Sequence, residues 1–555
     1  MLKKEIASLL AKYVALKKPE IENLIEIPPD EKLGDYSFPC FVLAGKLKKS
    51  PQEIAKQISS QLEKIKTTKE IQEIKSIGPY INFFVNKEFL AHQILKINEN
   101  FGKDRKKEKI ILEHTSVNPN ADPHLGRTRN SIIGDSIKRI LEFSGYNVET
   151  HYYVNDVSKQ VAMLSLIFTT KDNFNNLLKK YIEISKKIDK NPKLERKVFE
   201  MLNKLEKKDK KTEKLFKNIV DTAIQGQKRI FSEIGIEFDY FDYESRYLDS
   251  SKFILKELEK TGKLFKDKEG RMVLNQAGTG LERSMKFPVL VLTRNDGTGL
   301  YPLRDIAYTI DKGKKGRNII VLGEDQKLYF EQIKQALILL RKPYPEAVHY
   351  SYVLINEKGK AKKMSTRRGE LVLLSDFLKE AEKKAQQEIN KRKTKGNAKA
   401  IAIGAVKYSM LKNENNKNIV FDWQQALNFE GDSGPYLQYS CARASSILRK
   451  AKIKQKSKTK SKHKVENKKL EKQETELIKK ILQFPEIVEH ASRQLSPNLI
   501  ANYSFQLAQI FNEFYHSCKV IGSKEENFRL ALVKSFRIVM ANSLFLLGIE
   551  AIEEM

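Results

Sequence analysis

The stretch that most restricts the fold is residues 123–127 (PHLGR), because it joins a strand-like run to a helical run. The strand-like run is residues 110–112 (IIL), and the helical run is residues 132–141 (IIGDSIKRIL). His124 and Gly126 are therefore predicted to lie in a strand-to-helix turn. Such a turn presents backbone donors and the positive end of a helix dipole to an anion such as phosphate. Gly126 removes the side chain that would hold the anion away, and His124 can donate a hydrogen bond to an oxygen that gains charge.

A second polar stretch, residues 362–369 (KKMSTRRG), supplies cations. Together the two stretches describe a clamp for a triphosphate, with Lys363 as its principal cation. The residues before it, 358–363 (KGKAKK), are interpreted as a segment that closes over the phosphates and opens again to release product. Ser365 is predicted to orient this segment or to contact phosphate.

These two stretches resemble the HIGH and KMSKS elements of class I aminoacyl-tRNA synthetases, and the surrounding sequence resembles the arginyl-tRNA synthetase family. One short match would be weak, because four-residue strings recur by chance in a long chain. Five further blocks match the family, and they are residues 34–37 (GDYS), 78–84 (GPYINFF), 153–156 (YVND), 301–305 (YPLRD) and 430–439 (EGDSGPYLQY). The agreement of all these blocks, in order, makes the resemblance specific.

The resemblance implies ATP-dependent attachment of L-arginine to tRNA(Arg) through an arginyl-adenylate, with release of AMP and pyrophosphate. The arginine carboxylate attacks the α-phosphate in line, so the site works by positioning and by stabilising phosphate charge rather than through a protein nucleophile. ATP is implied, with Mg²⁺ as its counter-ion, and no metal cluster of protein side chains is expected. The implied catalytic residues are His124, Gly126, Arg127, Lys363 and Ser365. The implied ATP-binding residues are Pro123, His124, Gly126, Lys363, Met364 and Ser365.

Two positions depart from the family pattern. Arg127 stands where HIGH has its second histidine, and Thr366 stands at the fourth position of KMSKS. In the resembling family that histidine lies near the ribose and the α-phosphate, so Arg127 is expected to donate a hydrogen bond there with a different reach. Thr366 is common in the arginyl subgroup, and Arg368 could replace the missing cation.

An arginine pocket needs carboxylates, because a planar guanidinium is recognised by paired carboxylate oxygens through two parallel hydrogen bonds. The resemblance assigns to this pocket Glu113, Ser116, Asn118, Tyr301, Asp305 and Gln326. Asp305 is expected to pair with the guanidinium, and Tyr301, four residues earlier on one helix face, to pack against the side chain. Asn118 and Gln326 are expected at the α-amino and carboxylate ends, and Glu113 either at the amino group or at the guanidinium. Without the resemblance, Asp305 would be read as a helix cap and Glu113 as a surface residue of a strand.

The fold class is predicted to be α/β, with a Rossmann-like parallel sheet in a catalytic domain at residues 106–400. Runs such as 319–322 (IIVL) and 289–292 (VLVL) favour this sheet, because they are typical of strands covered on both faces. A helical insertion is predicted at about residues 165–235. Residues 1–105 are predicted to form an α+β domain that ends at a lysine-rich stretch. The resemblance implies that this domain contacts the outer corner of the tRNA.

Residues 401–555 are predicted to form an all-α bundle. The resemblance implies that this bundle binds the anticodon. Helices are expected near 442–449, 477–488, 499–520 and 528–547. The tRNA-binding candidates are Tyr80, Asn82, Phe84, Tyr503 and Tyr515, since unstacked bases favour aromatic faces. Most aromatic residues of the bundle are nevertheless expected in its core.

The charge balance indicates a polyanionic partner. The chain has 102 Lys+Arg against 70 Asp+Glu, a formal net charge of +32. RNA is the obvious candidate, and the alternative is a lysine-rich composition inherited from the genome. Residues 450–464 alternate lysine with mainly Ser, Thr and Gln, and they are interpreted as a basic loop that is either an RNA contact or a solvated linker.

A cytoplasmic protein is expected from the absence of membrane and disulfide signals. No apolar run approaches the roughly 18 residues of a membrane span. Cys40, Cys441 and Cys518 are far apart in sequence and fit a reducing compartment without disulfides or a zinc site. A monomer is expected from the resemblance alone.

Three other classes of function compete with this interpretation. Another class I synthetase is disfavoured because a cysteinyl enzyme would need zinc ligands and a glutamyl enzyme would need cations where Glu113 and Asp305 stand. A non-catalytic RNA-binding relative is favoured by Arg127 and opposed by His124 and Lys363. A small nucleotidyltransferase is disfavoured by the large helical C-terminal region.

Overall fold

A computed structural model describes most of the chain. The described residues are 2–28, 30–63, 69–357, 360–363, 372–393, 395–455 and 470–555. The helices are α1 (Leu2–Leu10), α2 (Lys18–Leu24), α3 (Phe41–Leu47), α4 (Pro51–Glu63), α5 (Lys87–Ile94), α6 (Leu125–Phe143), α7 (Lys159–Ser165), α8 (Phe174–Lys190), α9 (Pro192–Glu206), α10 (Lys210–Glu233), α11 (Leu248–Glu259), α12 (Tyr301–Gly313), α13 (Lys327–Leu339), α14 (Leu374–Arg392), α15 (Ala398–Leu411), α16 (Trp423–Ala426), α17 (Gly434–Gln455), α18 (Lys472–Leu482), α19 (Phe484–Gln494), α20 (Asn498–Ser517) and α21 (Glu526–Leu546). The strands are β1 (Tyr36–Pro39), β2 (Ile71–Ile77), β3 (Tyr80–Val85), β4 (Lys109–Glu113), β5 (Asn147–Val154), β6 (Tyr240–Tyr243), β7 (Leu264–Lys266), β8 (Met272–Asn275), β9 (Val289–Val291), β10 (Arg317–Gly323), β11 (Glu346–Tyr350), β12 (Val353–Glu357), β13 (Lys360–Lys363) and β14 (Ile419–Phe421).

The chain divides into two compact units. One unit contains residues 1–99, 447–483 and 509–538, and the other contains residues 100–446, 484–508 and 539–555. Among the described residues, no helix is both long enough and apolar enough to cross a bilayer.

The first unit contains a three-stranded antiparallel sheet in the order β1-β3-β2. Ile81 and Phe83 on β3 are fully buried, and α4 packs against β2 and β3. Helical segments from the C-terminal region complete this core, where the rings of Phe511 and Phe536 stack with centroids 3.7 Å apart. The expected α+β character of the N-terminal region is confirmed.

The second unit is built on a parallel sheet in the order β11-β10-β4-β5-β6. Ile110, Ile111 and Leu112 on the central strand β4 are fully buried, which explains their uninterrupted apolar run. This confirms the predicted Rossmann-like sheet and its helical insertion, which consists of α8, α9 and α10.

One strand assignment was wrong. Residues 289–291 form β9, which lies in a separate antiparallel sheet of order β7-β8-β9 rather than in the parallel sheet. Leu290 is buried, but Val289 and Val291 are only partly buried, so this strand is covered on one face. A short apolar run does not distinguish these two environments.

The C-terminal region is helical, as predicted, but two of its details differ. The helix predicted at 477–488 is two helices, α18 and α19, and Pro485 lies in the first turn of the second, where its missing N–H is tolerated. The basic stretch at 450–464 begins inside α17, which continues to Gln455, so its first residues are helical. Residues 456–469 lie outside the described part of the chain.

Candidate active site

The predicted strand-to-helix turn is present at the carboxyl end of β4. His124 is the N-cap residue of α6, with extended backbone angles (φ −84°, ψ 153°) and no capping hydrogen bond from its side chain. Gly134 lets α6 approach β4 closely, because a Cβ atom there would lie 2.3 Å from Cγ of His114. The turn at residues 123–127 is thereby fixed at the carboxyl edge of the sheet, where α/β proteins bind their ligands.

His124 is partly buried and electrically neutral at pH 7. Burial, together with the nearby Arg127 guanidinium, lowers the pKa of His124 from 6.5 to about 4. Its Nδ1 atom has no hydrogen-bond partner among the described residues. A neutral imidazole at a helix N-terminus can donate one hydrogen bond to a phosphate oxygen.

The chain that follows the second polar stretch is hydrogen-bonded to this turn. Lys363 ends β13, which pairs with β12, and the described chain resumes at Val372. The amide of Leu125 donates to the carbonyl of Val372 at 3.0 Å, and the amide of Leu374 donates to the carbonyl of Pro123 at 2.8 Å. The segment between them, which contains the predicted residues Met364 and Ser365, lies outside the described residues. The residues that follow the second stretch, Val372 and Leu374, are therefore bonded to the turn that contains the first stretch.

Arg127 extends toward the ends of the neighbouring strands. Its Nη2 atom lies 4.0 Å from Oδ2 of Asp325, which follows β10. It also lies near the hydroxyl of Tyr350 at the end of β11, where its charge opposes the burial that raises the pKa of that phenol. Arg127 therefore reaches side chains at the carboxyl ends of β10 and β11.

Asp305 lies in a cluster of tyrosines. The hydroxyl of Tyr329 on α13 donates to its carboxylate, and the rings of Tyr329 and Tyr301 are 5.2 Å apart. Burial raises the pKa of Asp305 to about 6, although the bond from Tyr329 opposes that rise. Tyr153 on β5 also lies beside Asp305, and the hydroxyl of Tyr153 is buried there.

Two other buried carboxylates near Asp305 are already paired with cations. Nε of Arg304 donates to Glu244 at 2.6 Å, and Lys312 donates to Glu113. Burial raises the pKa of Glu244 to about 7. Among the described ion pairs none involves Asp305, so of these three carboxylates Asp305 is the one without a paired cation.

The remaining predicted arginine-binding residues surround the same strand ends. Gln326 ends a short 3₁₀ turn between β10 and α13, three residues before Tyr329. Asn118 is exposed and Ser116 is partly buried, in the connection from β4 to the turn at residues 123–127. The connection is strained at Thr115, a β-branched residue with φ of 66°. The backbone amide of Thr115 donates a hydrogen bond to Oδ1 of Asn130 at 2.9 Å.

Sequence reasoning missed several residues that the structure brings to this pocket. Tyr308 and Lys312 follow Tyr301 and Asp305 at helical spacing, so their positions on one face of α12 could have been recognised. No comparable sequence signal identifies Tyr329.

Comparison with known proteins agrees with this geometry. The family model of the class I (R) tRNA synthetase catalytic domain matches residues 90–423, that of the arginyl tRNA synthetase N-terminal domain residues 1–85, and that of the DALR anticodon binding domain residues 437–555. The arginine–tRNA ligase of Methanocaldococcus jannaschii is 37% identical over 96% of this chain and 95% of its own length. This chain belongs to the arginyl-tRNA synthetase family.

Other members of the arginyl-tRNA synthetase family agree over the full length. The arginine–tRNA ligase of Methanothermobacter thermautotrophicus is 36% identical over 99% of this chain and 98% of its own. The solved arginyl-tRNA synthetase of Thermus thermophilus superposes with a TM-score of 0.83 at 27% identity, over 100% of this chain and 99% of that one. Membership of the family excludes the rival interpretation as a different class I synthetase.

The tRNA candidates of this synthetase differ in exposure. Tyr80 and Phe84 are partly exposed on one face of β3. The ring of Tyr80 lies edge-on to the exposed ring of Phe41, with the two ring centroids 5.7 Å apart. Tyr515 is 40% exposed. Asn82 and Tyr503 are each 2% exposed, so the structure does not offer either side chain to RNA. Asn82 packs beside Gly34, and Tyr503 packs on Phe484.

Proposed function

We propose that this chain is an arginine–tRNA ligase that activates L-arginine with ATP and transfers it to tRNA(Arg). In the first step an arginine carboxylate oxygen bonds to the α-phosphorus of ATP, and pyrophosphate leaves. In the second step a hydroxyl of the terminal ribose of tRNA attacks the carbonyl carbon of arginyl-adenylate, and AMP leaves. Both steps transfer groups between substrates, which agrees with a site made of donors and cations.

The observation that carries the choice of arginine is the environment of Asp305. It is a carboxylate surrounded by tyrosines, and no cation pairs with it among the described residues. A guanidinium would supply that cation and both of its parallel hydrogen bonds. We propose that Tyr301 packs against the arginine side chain.

The other pocket residues receive roles at the far end of the substrate. Gln326, Ser116 and Asn118 are proposed to hold the α-amino and carboxylate groups, since they lie at the ends of β10 and β4. Glu113 is retained as a residue of the pocket, although its carboxylate is already bonded to Lys312.

The ATP site is proposed at the N-terminus of α6. His124, Gly126 and the backbone after Pro123 would face the phosphates, with Arg127 near the ribose or the α-phosphate. The parts assigned to Lys363, Met364 and Ser365 depend on the family resemblance. Mg²⁺ is proposed to arrive with ATP as its counter-ion.

Three functional units are proposed. Residues 1–105 contact the outer corner of the tRNA, residues 106–400 carry out catalysis, and residues 401–555 bind the anticodon. A monomer is proposed from the family resemblance alone. A cytoplasmic location is proposed from the cysteine usage.

A charging assay tests the reaction directly. The purified full chain, with ATP and Mg²⁺, is offered each amino acid in turn with total tRNA, and aminoacyl-tRNA is measured. Arginine alone is expected to be attached, because one ammonium cannot satisfy two fixed acceptors as a guanidinium does. Equal charging with lysine would contradict the pocket, and no charging with any amino acid would favour the RNA-binding relative without catalysis.

Two partly exposed aromatic residues are expected to contribute to tRNA affinity. Tyr80→Ala and Phe84→Ala should each raise the KM for tRNA by about fivefold or more, because loss of one stacked base is worth about 1–3 kcal/mol. The KM for arginine should not change. Tyr344→Ala is the control, since Tyr344 is 49% exposed and precedes β11 at the amino edge of the parallel sheet. Equal effects of all three substitutions would remove the proposed RNA contact.

A further inference from the structure

Two helices of the second unit, α6 and α14, begin side by side and cap each other. Their N-cap residues are His124 and Leu373, and neither side chain bonds to the first turn of its own helix. The two N-cap residues form an antiparallel bridge. The amide of Leu125 donates to the carbonyl that precedes Leu373, and the amide of Leu374 donates to the carbonyl that precedes His124. Each helix thus satisfies an amide that has no acceptor within the helix itself.

Asp122 adds a side-chain bond to this pair of helix ends. The hydroxyl of Ser375, in the first turn of α14, donates to Oδ2 of Asp122, which precedes Pro123 and His124. Burial raises the pKa of Asp122 to about 6, and the hydroxyl and the backbone amide of Ser375 oppose that rise by bonding to the carboxylate. Asp122 therefore acts on α14 as an N-cap aspartate acts on its own helix, although it precedes α6 in the chain.

The helix that Asp122 bonds to is firmly packed, whereas the bond itself lies beside a cavity. Leu374, Ala381 and Ala385 on α14 are fully buried, and the helix packs against α15. Asp122 and Ser375 are only partly buried, and both line a cavity of about 420 Å³ between α8, α10, α14 and α15. Because water can reach this bond from the cavity, its loss is expected to displace the turn before α6 without unfolding α14.

We propose that Asp122 is a positioning residue, which holds the turn of residues 123–125 against α14 and so fixes the imidazole of His124. This inference rests on the proposed function. In that reaction His124 donates to a phosphate oxygen that gains charge as pyrophosphate leaves, so its contribution is made in the transition state. A displaced donor lowers kcat, and the KM for arginine stays unchanged because other residues hold the amino acid.

Three variants of the full chain test the bond from Ser375. Asp122→Ala removes the acceptor and is expected to lower kcat by about tenfold, with a KM for arginine within about twofold of that of the unchanged chain. Asp122→Asn keeps an oxygen that accepts from Ser375, so its kcat should stay within about threefold. Asp376→Ala is the matched control, because Asp376 is an exposed carboxylate in the first turn of the same helix. Arginine-dependent exchange of pyrophosphate into ATP, with tRNA present at pH 8, measures both constants.

A double-mutant cycle with His124→Ala distinguishes positioning from a general structural role. If Asp122 acts through His124, the kcat of the double variant Asp122→Ala/His124→Ala should lie within about twofold of that of His124→Ala. A general structural role would instead multiply the two losses. Unfolding by urea, followed by the fluorescence of Trp423, whose ring stacks on Phe377 of α14, checks that each variant is folded.

Three outcomes would overturn the inference. They are a kcat of Asp122→Ala within about twofold of the unchanged chain, losses that multiply in the double variant, and a kcat of Asp122→Asn as low as that of Asp122→Ala. If Asp122→Ala does not fold, Ser375→Ala takes its place in the cycle, and an unchanged kcat or a loss that multiplies with that of His124→Ala overturns the inference. Failure of the unchanged chain to exchange pyrophosphate with arginine would instead refute the proposed function, and the inference with it.

Discussion

Replacing Asp305 by asparagine is expected to raise the KM for arginine by about 100-fold or more, the largest effect of any single change in the pocket. The substitution keeps the size of the side chain and an oxygen that can accept from Tyr329, but it removes the negative charge. The KM for ATP should change by less than about threefold, because Asp305 faces the amino acid. Arginine-dependent exchange of pyrophosphate into ATP, with tRNA present, measures both constants.

The pH dependence of arginine binding provides a second signature of the same residue. Burial raises the pKa of Asp305 to about 6, so the carboxylate is mostly protonated below that pH and ionised above it. The KM for arginine should therefore fall by about tenfold as the pH rises from 5 to 7, following the ionised fraction. In Asp305→Asn this dependence should disappear.

Unfolding cannot account for the expected loss in Asp305→Asn. A carboxyl group with a raised pKa in the folded state contributes stability while protonated, and this contribution is lost as the pH rises through the folded pKa. At pH 8 the asparagine variant is thus expected to be at least as stable as the unchanged chain. Asp311→Asn, on the same helix but paired with Lys315 at 3.5 Å, is the control. An arginine KM for Asp305→Asn equal to that of this control would exclude Asp305 from the pocket.

The sequence was sufficient for those parts of the fold that depend on local patterns. The turn before α6 could be predicted because an apolar strand, Gly126 and a helical period follow one another within a short stretch. The strand β10 was recognised because an uninterrupted apolar run reflects burial on both faces. The same reasoning failed for β9, whose short run leaves the number of covered faces undetermined.

The electrostatic structure of the pocket could not be predicted from local patterns. Lys312 and Glu113 are 199 residues apart, and Arg304 and Glu244 are 60 residues apart. Which of several acidic residues keeps a free carboxylate depends on these distant pairings. The resemblance identified Asp305 and Glu113 together, and the structure separates them by showing a cation on one of them.

Arg129 is the second position where a large effect is expected, and its role was also hidden from sequence reasoning. It is 0% exposed, in the second turn of α6. Its guanidinium donates to the carbonyls of Ser351 at 2.8 Å, Lys417 at 2.7 Å and Glu414 at 3.1 Å. Ser351 precedes β12, and Glu414 and Lys417 precede β14, which pairs in parallel with β12. Strand β12 also pairs with β13, which ends at Lys363. Arg129 therefore attaches the helix of the first polar stretch to the sheet of the second.

Arg129→Met is expected to lower the free energy of unfolding of this unit by about 4 kcal/mol, because three buried carbonyls lose their donor at about 1–3 kcal/mol each. Burial lowers the pKa of Arg129 to about 10, so the guanidinium is still charged at pH 7 and its hydrogen bonds are charge-assisted. Trp423 is the single tryptophan of the chain, and it follows β14 and stacks on Phe377 at 4.6 Å. Its fluorescence in a urea titration therefore reports the unfolding of the region that Arg129 stabilises.

Two comparison variants distinguish the loss of the buried hydrogen bonds from the loss of a positive charge. Arg105→Met makes the same chemical change at an exposed position and is expected to alter the free energy of unfolding by less than about 0.5 kcal/mol. Arg129→Lys keeps the charge but lacks the planar fork that reaches carbonyls in different directions, so an intermediate loss is expected. Because β12 positions the strand that carries Lys363, kcat should fall in the order of these losses, at temperatures where every variant is folded. A urea midpoint of Arg129→Met equal to that of Arg105→Met, with an unchanged denaturant slope, would show that this attachment does not stabilise the unit.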